Sequence, residues 1–182
     1  ITADKGLIYN IDGKIKLLEN GKLLSENQTV EGDLIEIFFK ENQIKSFKVL
    51  ENGIIFSENS GYEKDVNNQN QFIANQDILK AQIIDLKIDE SDVSEIELIG
   101  MASSFIHLYE DSLYQGTNEI SGDKIILKLI DNNATELVST GGVIGQFIPS
   151  SSNTSGQEKV NYRGARVESV SYTHLTLPTI DP

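Results

Sequence analysis

Two of the residue types that often carry catalysis, cysteine and histidine, are absent or rare in this 182-residue chain. The chain has no cysteine, which excludes a disulfide scaffold, a cysteine nucleophile and any cysteine-based zinc site. His107 alternates with Ile106 and Leu108 in an apolar stretch, so we expect a surface histidine on a strand rather than a catalytic base. The sequence contains no Ser-His-Asp set, nucleophile elbow, phosphate loop or dinucleotide motif.

Carboxylates are abundant, and one group falls within thirteen residues: Asp85, Asp89, Glu90, Asp92, Glu95 and Glu97. A glycosidase pair or a calcium site could use such residues. The EF-hand spacing fails, however, because no glycine follows at the sixth position, and the stretch from Asp65 reaches Gln76 where a glutamate is needed. We therefore expect a solvated turn, with no metal, no cofactor and no catalytic residue, and a protein that is not an enzyme.

The charge balance narrows the classes of partner. Lys and Arg number 15 against 28 Asp and Glu, a net charge of −13. Sequence-independent nucleic-acid binding needs a basic surface, so no nucleic-acid partner is expected. No apolar run reaches the length of a membrane-spanning helix.

The hydrophobic pattern predicts an all-β protein. Ile, Val, Phe, Leu and Tyr recur with a period of two, and Asn-Gly, Asp-Gly and Gly-Asp pairs punctuate them. Two segments repeat 32 residues apart, Glu19–Asn27 and Glu51–Asn59, with six of nine positions identical. Such internal repetition indicates a stack of similar β units.

A second repeated element is a strand opener, found at Gly32-Asp33, Gln76-Asp77 and Gly122-Asp123. The residues two, four and six positions after each aspartate are all apolar: Ile35, Ile37, Phe39, Leu79, Ala81, Ile83, Ile125, Leu127 and Leu129. Because side chains alternate along a strand, we expect these nine residues to line one continuous face. Glycines are expected to form the corners between strands, at Gly21, Gly53, Gly100 and Gly141-Gly142.

The last part of the chain is expected to be foreign to the fold. Val170 to Thr179 matches, at ten of ten residues, the frame translation of a transposon-type sequencing adapter. We therefore predict one β domain over residues 1–168, a fragment truncated at both ends, and an artefactual tail over 169–182.

Three short stretches resemble the OstA-like, lipopolysaccharide-transport family: Ile1 to Gly6, Lys14 to Leu24, and Val30 to Ile35. Ile120 to Ile125 matches the same opener, and the resemblance covers about residues 1–168. The family's usual Gly-Asn-Val corner is replaced here by Gly-Lys-Leu, Gly-Ile-Ile, Gly-Met-Ala and Gly-Gly-Val. The subfamily thus stays open between the periplasmic bridge protein and the N-terminal domain of the outer-membrane assembly protein.

The resemblance implies repeated antiparallel strands that form a jelly-roll or folded-taco β stack, open at both ends. It further implies a periplasmic protein, or one at the periplasmic face of the outer membrane, that binds lipopolysaccharide or a related lipid. Other transport-bridge proteins would pair with its edge strands. The lipid-binding residues expected on this basis are Ile35, Ile37, Phe39, Leu79, Ile83, Ile125, Leu127 and Leu129.

A second hypothesis explains the same repeats without a ligand. The apolar residues would then pack against one another as a closed core. The chain would be a structural β-repeat segment of a bacterial cell-surface protein.

Overall fold

The structure, a computed structural model, contains only strands and turns in the residues that it describes, which confirms the expected all-β class. Those residues are Thr2, 4–9, 13–41, 43–65, 67–89, 92–130, 133–150, 159–170 and 179–180. The tail attributed to an adapter lies outside them, except at 169–170 and 179–180. No helix of the described residues is long and apolar enough to cross a membrane.

The strands form one antiparallel sheet in which each strand pairs with its neighbours in the sequence. Eight long strands lie between two short edge strands. In chain order the ten strands are β1 (Lys5–Tyr9), β2 (Lys14–Leu24), β3 (Gln28–Lys40), β4 (Gln43–Lys64), β5 (Asn70–Asp89), β6 (Asp92–Glu110), β7 (Leu113–Ile130), β8 (Asn133–Pro149), β9 (Val160–Val170) and β10 (Thr179–Ile180).

Local sequence explains the tight turns between strands. Asp111 and Ser112, with φ of 49° and 65°, form the two-residue turn between the paired residues Glu110 and Leu113. Positive φ at both positions matches the type I′ turn, whose twist suits an antiparallel hairpin.

Every strand from β2 to β9 bends near its middle, and the bends lie side by side. In the even-numbered strands, two consecutive residues with positive φ interrupt the pairing: Glu19–Asn20, Glu51–Asn52, Gly100–Met101 and Gly141–Gly142. One residue of the next strand lies opposite each pair: Asp33, Gln82, Asp123 and Ala165. Bulges of two residues against one bend a strand. This row of bulges, the crease, divides the sheet into two layers.

We call the half that ends at the β1–β2, β3–β4, β5–β6 and β7–β8 turns layer A, and the other half layer B. Six strands contribute one side chain each to the layer A row beside the crease, and these side chains are at most 5% exposed: Leu17, Ile35, Val49, Ile84, Leu98 and Ile125. Because the described residues contain no helix that could cover them, the second layer must do so. The expected folded stack is therefore the observed architecture.

The prediction that glycine makes each corner is wrong for the repeated Glu-Asn-Gly sequence. Positive φ falls on Glu19–Asn20 and Glu51–Asn52, not on the glycines that follow them. Asn20 Nδ2 donates a hydrogen bond to Asp4 Oδ2 at 2.8 Å, and Asn52 Nδ2 donates one to Asp33 Oδ2 at 2.6 Å. Asparagine tolerates the left-handed region, so this pair of side chains holds the bend.

The following glycine is required by space rather than by its φ angle. A Cβ atom at Gly53 would lie 2.8 Å from Cδ1 of Ile84, a side chain that is fully buried. The corners at Gly100 and at Gly141–Gly142 have positive φ, as predicted.

None of the three predicted strand openers begins a strand, because β3, β5 and β7 each run through the aspartate without a break. Asp33 and Asp123 lie at the crease, whereas β5 crosses the crease at Gln82. Asp77 lies within layer B, where its backbone is paired with Ser57.

Glu36 connects two lysines on the outer surface of layer A, where Lys14 Nζ and Lys16 Nζ each lie 2.7 Å from a Glu36 carboxylate oxygen. Burial by itself raises the pKa of Glu36, but the hydrogen bonds and charges of both lysines outweigh it and hold the pKa below its ordinary value. A lowered carboxylate pKa stabilises the fold above the unfolded value near 4.5, and that stabilisation is lost as the pH falls through the folded pKa.

We expect Glu36→Gln to lower the free energy of unfolding by about 1 kcal/mol at pH 7. The difference from the parent protein should shrink as the pH falls below 4.5. Urea denaturation at pH 7 and pH 3 measures both values. A difference that is the same at the two pH values would contradict the assignment.

Candidate functional site

The predicted lipid-binding residues lie mostly together in the interior between the two layers. Five are buried, at 0–6% exposure: Ile35, Ile37, Leu79, Ile125 and Leu127. Phe39 and Leu129 are partly buried and pack against this interior near the β3–β4 and β7–β8 turns. The sequence pattern thus identified a set of residues that the fold brings together.

Ile83 is the exception, and its predicted place on the inner face is wrong. The pairing shifts between Lys80 and Ile83, so alternation restarts beyond the crease. Ile84 and Leu86 are the buried residues there, at 0% and 1%, and Ile83 is half-buried outside the apolar cluster. Alternation counted from Gln82, the residue at the crease, would have identified Ile84 and Leu86.

The interior is filled by these side chains. They belong to one cluster of buried residues that extends from Leu17 on β2 to Val167 on β9. Ser104 and Ser139 are buried within the same interior, and their hydroxyls have no hydrogen-bond partner among the described residues. Space for a ligand would require the layers to separate at the side opposite the crease, where Phe39 and Leu129 lie.

A polar cluster at the layer B end was not predicted. Pairing of β5 with β6 ends at Ile78 and Phe105. Immediately beyond, Asp77 Oδ1 accepts a hydrogen bond from the backbone N of His107 at 2.8 Å. The same oxygen lies 2.8 Å from His107 Nδ1. Asn59 Nδ2 donates to Asp77 Oδ2. The carboxylate therefore takes the position that a strand carbonyl would occupy if β5 continued beside β6.

His107 is not the surface histidine that the sequence indicated. Its side chain is 11% exposed, and that of Asp77 is 12% exposed. Phe105 packs on the His107 ring at a centroid distance of 5.2 Å and Tyr114 at 5.9 Å. Burial raises the pKa of Asp77, and the hydrogen bonds from His107 and Asn59 offset this only in part.

The cluster pairs a carboxylate with an imidazole. The Tyr114 hydroxyl, whose ring packs on that of His107, shares a hydrogen bond with Thr117 Oγ1 at 2.6 Å. The described residues contain no group of three His, Asp or Glu side chains that could hold a metal ion.

The β9 edge of the sheet is only partly covered by a further strand. At one edge, β9 carries the two arginines of the chain, Arg163 and Arg166, both exposed. Two residues of β10 pair with the outer side of β9, opposite Val167 and Glu168. From Val160 to Arg166, the described partners of β9 lie only on β8.

Comparison with known structures identifies the fold. Over 89% of its length, the chain superposes on 90% of LptH from Pseudomonas aeruginosa, with a TM-score of 0.53 and 8% sequence identity. The chain has the LptH fold. LptH is described as the LptA-homologous periplasmic component of the conserved lipopolysaccharide transport device. No family model matches the sequence, and no curated protein matches it.

The topology of the sheet limits the kinds of surface that a ligand or a partner could use. The fold consists of one folded sheet, so its large surfaces are the outer faces, the interior and the two edge strands. Edge strands present backbone groups that can pair with a further strand.

Proposed function

We propose that this chain is a non-enzymatic lipid-transfer module that acts in lipopolysaccharide transport in the periplasm. The observation that carries the proposal is the LptH fold, together with an interior lined from β2 to β9 by apolar side chains. Burial of an acyl chain in such an interior would contribute about 0.8 kcal/mol per CH₂ group.

Acyl chains enter, in this proposal, between the layers on the side opposite the crease. Phe39 and Leu129 would be met first, followed by Ile37 and Leu127 and then by Ile35 and Ile125 beside the crease. Leu79 would line the layer B side. The side chains that now fill the interior would have to move apart. Entry therefore breaks contacts between these side chains, and contacts with the acyl chain must replace them.

The net charge of −13 bears on where an anionic head group would lie in this proposal. Anionic head groups would be repelled by an acidic surface and would project into solvent, where charges more than ~10 Å apart are largely screened at 0.1 M salt. Neighbouring transport proteins would continue the groove by pairing with β1 and with β9, in the periplasm or at the periplasmic face of the outer membrane.

Photo-crosslinking tests the proposed interior. A photoreactive residue at Ile37 or Leu127, both at most 3% exposed inside the fold, should capture lipopolysaccharide. The same residue at Glu36, which neighbours Ile37 but bonds to Lys14 and Lys16 on the outer surface, should not. Equal labelling at all three positions would reject the interior as the lipid site.

The filled interior favours a second candidate, a structural β-repeat segment of a cell-surface protein with a closed core. Under this alternative, neither Ile37 nor Leu127 captures lipid, although the same variants remain folded. The thermal midpoint of each variant, measured with and without lipopolysaccharide, supplies the folding control, because a bound ligand raises it.

A further inference from the structure

The β4–β5 hairpin extends beyond both of its neighbours in the sheet. On one side, β3 ends opposite Ser57, and on the other β6 separates after Ile78. From Glu58 to Gln76 the two strands pair with each other, and Tyr62 touches the β6–β7 turn. The described residues of this part of the chain, the distal hairpin, contribute no side chain to the apolar cluster of the interior.

The distal hairpin is nevertheless firmly held. Tyr62 N donates a hydrogen bond to Ser112 O at 2.8 Å, and Asn75 Nδ2 donates to the Tyr109 hydroxyl at 2.8 Å. At the tip, Asp65 Oδ1 accepts hydrogen bonds from the backbone N of Asn67 and Gln69, both at 2.8 Å. These contacts fix the geometry of the hairpin before any ligand is bound, which lowers the entropy cost of binding.

The two faces of the distal hairpin differ. One face packs on the molecule, with Gly61 buried and Asn59, Ile73 and Asn75 half-buried. All eight side chains of the other, the hairpin face, are exposed: Glu58, Ser60, Tyr62, Lys64, Asn70, Phe72, Ala74 and Gln76. Tyr62 and Phe72 lie opposite each other in the ladder and are 44% and 63% exposed. Their rings contact edge to face, with centroids 6.0 Å apart and planes at 78°.

We propose that the hairpin face binds a neutral saccharide, with a sugar ring packed into the corner between Tyr62 and Phe72. The apolar C–H side of a pyranose ring would lie on an aromatic face. The hydroxyls of the sugar would then point to the polar groups beside the aromatic rings. Asn70 and Gln76 provide amides that can both donate and accept, and Ser60 and the Tyr62 phenol provide hydroxyls. No described residue forms a hydrogen bond with any of these four side chains.

Size excludes a protein as the occupant. The face spans seven residues along each strand, about 20 Å, and is only two strands wide. A stable protein interface buries about 800 Å² on each partner, which is more than a patch of this length and two-strand width supplies by itself.

Charge excludes the other large classes of partner. The hairpin face carries one cation, Lys64, and one anion, Glu58, so it is neutral within an acidic chain. Anionic membranes and single-stranded nucleic acids require several basic side chains beside the aromatic ones. A neutral ligand rich in hydroxyls requires none.

Nuclear magnetic resonance titration tests the site with lipid-free, neutral hexasaccharides of glucose, mannose, galactose and N-acetylglucosamine. We expect at least one to shift resonances of the distal hairpin, and we expect Phe72→Ala to weaken its binding at least tenfold. Phe72→Tyr should retain binding. The matched control is Ile144→Ala, an equally exposed apolar residue on β8 at 65% exposure, which should bind like the parent protein.

Three results would overturn the proposal. They are no shift with any of the four sugars at a concentration of about 10 mM, where a site binding at about −2.7 kcal/mol is half occupied, shifts confined to residues outside the distal hairpin, and full binding by the Tyr62→Ala/Phe72→Ala double variant. The spectrum of each variant without sugar shows whether it is folded. The inference does not depend on lipid in the interior, since crosslinking at Ile37 and titration at Phe72 report on separate surfaces.

Discussion

Asp77→Ala is expected to lower the free energy of unfolding by about 3–5 kcal/mol, the usual cost of removing one partner of a buried polar pair. Without the carboxylate, the backbone N and the ring of His107 and the amide of Asn59 lose their acceptor in a site that is nearly closed to water. Asp77→Asn keeps the size and one acceptor oxygen, and we expect it to cost about 1–3 kcal/mol.

Urea denaturation measures these losses, and hydrogen exchange locates them. Exchange should rise first in the distal hairpin, because Asp77 lies at its base where β5 leaves β6. The matched control is Glu168→Gln, which removes the exposed ion pair with Arg166 and should cost at most about 1 kcal/mol. If Asp77→Ala proved no more costly than this control, Asp77 would not anchor the hairpin.

Double substitution of Asp77 and His107 separates their interaction from the rest of the cluster. The combined loss should be smaller than the sum of the two single losses by about 0.5–3 kcal/mol, since the two side chains share one interaction. Additive losses would indicate that each side chain acts through other neighbours.

Ile125→Ala is expected to cost about 2–5 kcal/mol, the range for removing a large aliphatic side chain from a packed core. Ile125 is 0% exposed and lies in the layer A row between Leu98 and Ser139. The upper part of this energy range applies if the two layers cannot close over the cavity that the substitution leaves.

Denaturation of Ile125→Ala also tests how tightly the interior is packed. Ile144→Ala, which is on β8 at 65% exposure, is the control and should change the free energy of unfolding by less than about 0.5 kcal/mol. A small loss at Ile125, comparable to that at Ile144, would show that the layers already separate in solution. A large loss would show that acyl chains must displace a well-packed core.

The periodic pattern of the sequence predicted the strands and most of the interior, but not where the alternation changes. Counting in twos from Asp33 and Asp123 placed Ile35 and Ile125 correctly, because those aspartates lie at the crease. Counting from Asp77 failed at Ile83, since the crease intervenes at Gln82. A two-against-one bulge resets alternation, and its position depends on the neighbouring strand as much as on the bulged one.

The polar cluster was beyond sequence reasoning for a different reason. His107 and Asp77 are 30 residues apart, and their contact exists only because β5 separates from β6 at that point. Alternation placed His107 opposite Ile106 and Leu108, as on a solvated strand face, and nothing local indicated that Tyr114 and Asp77 would cover it.

What the sequence by itself determined is the all-β class, the repeated unit and the apolar face, because these follow from local alternation and turn residues. What only the tertiary structure decided is which side chains meet. The fold along the crease filled the interior, the departure of β5 from β6 buried His107, and the length of the distal hairpin left Tyr62 and Phe72 in solvent. Each of these depends on register between strands that are distant in the chain, and register is a property of paired strands rather than of any one segment.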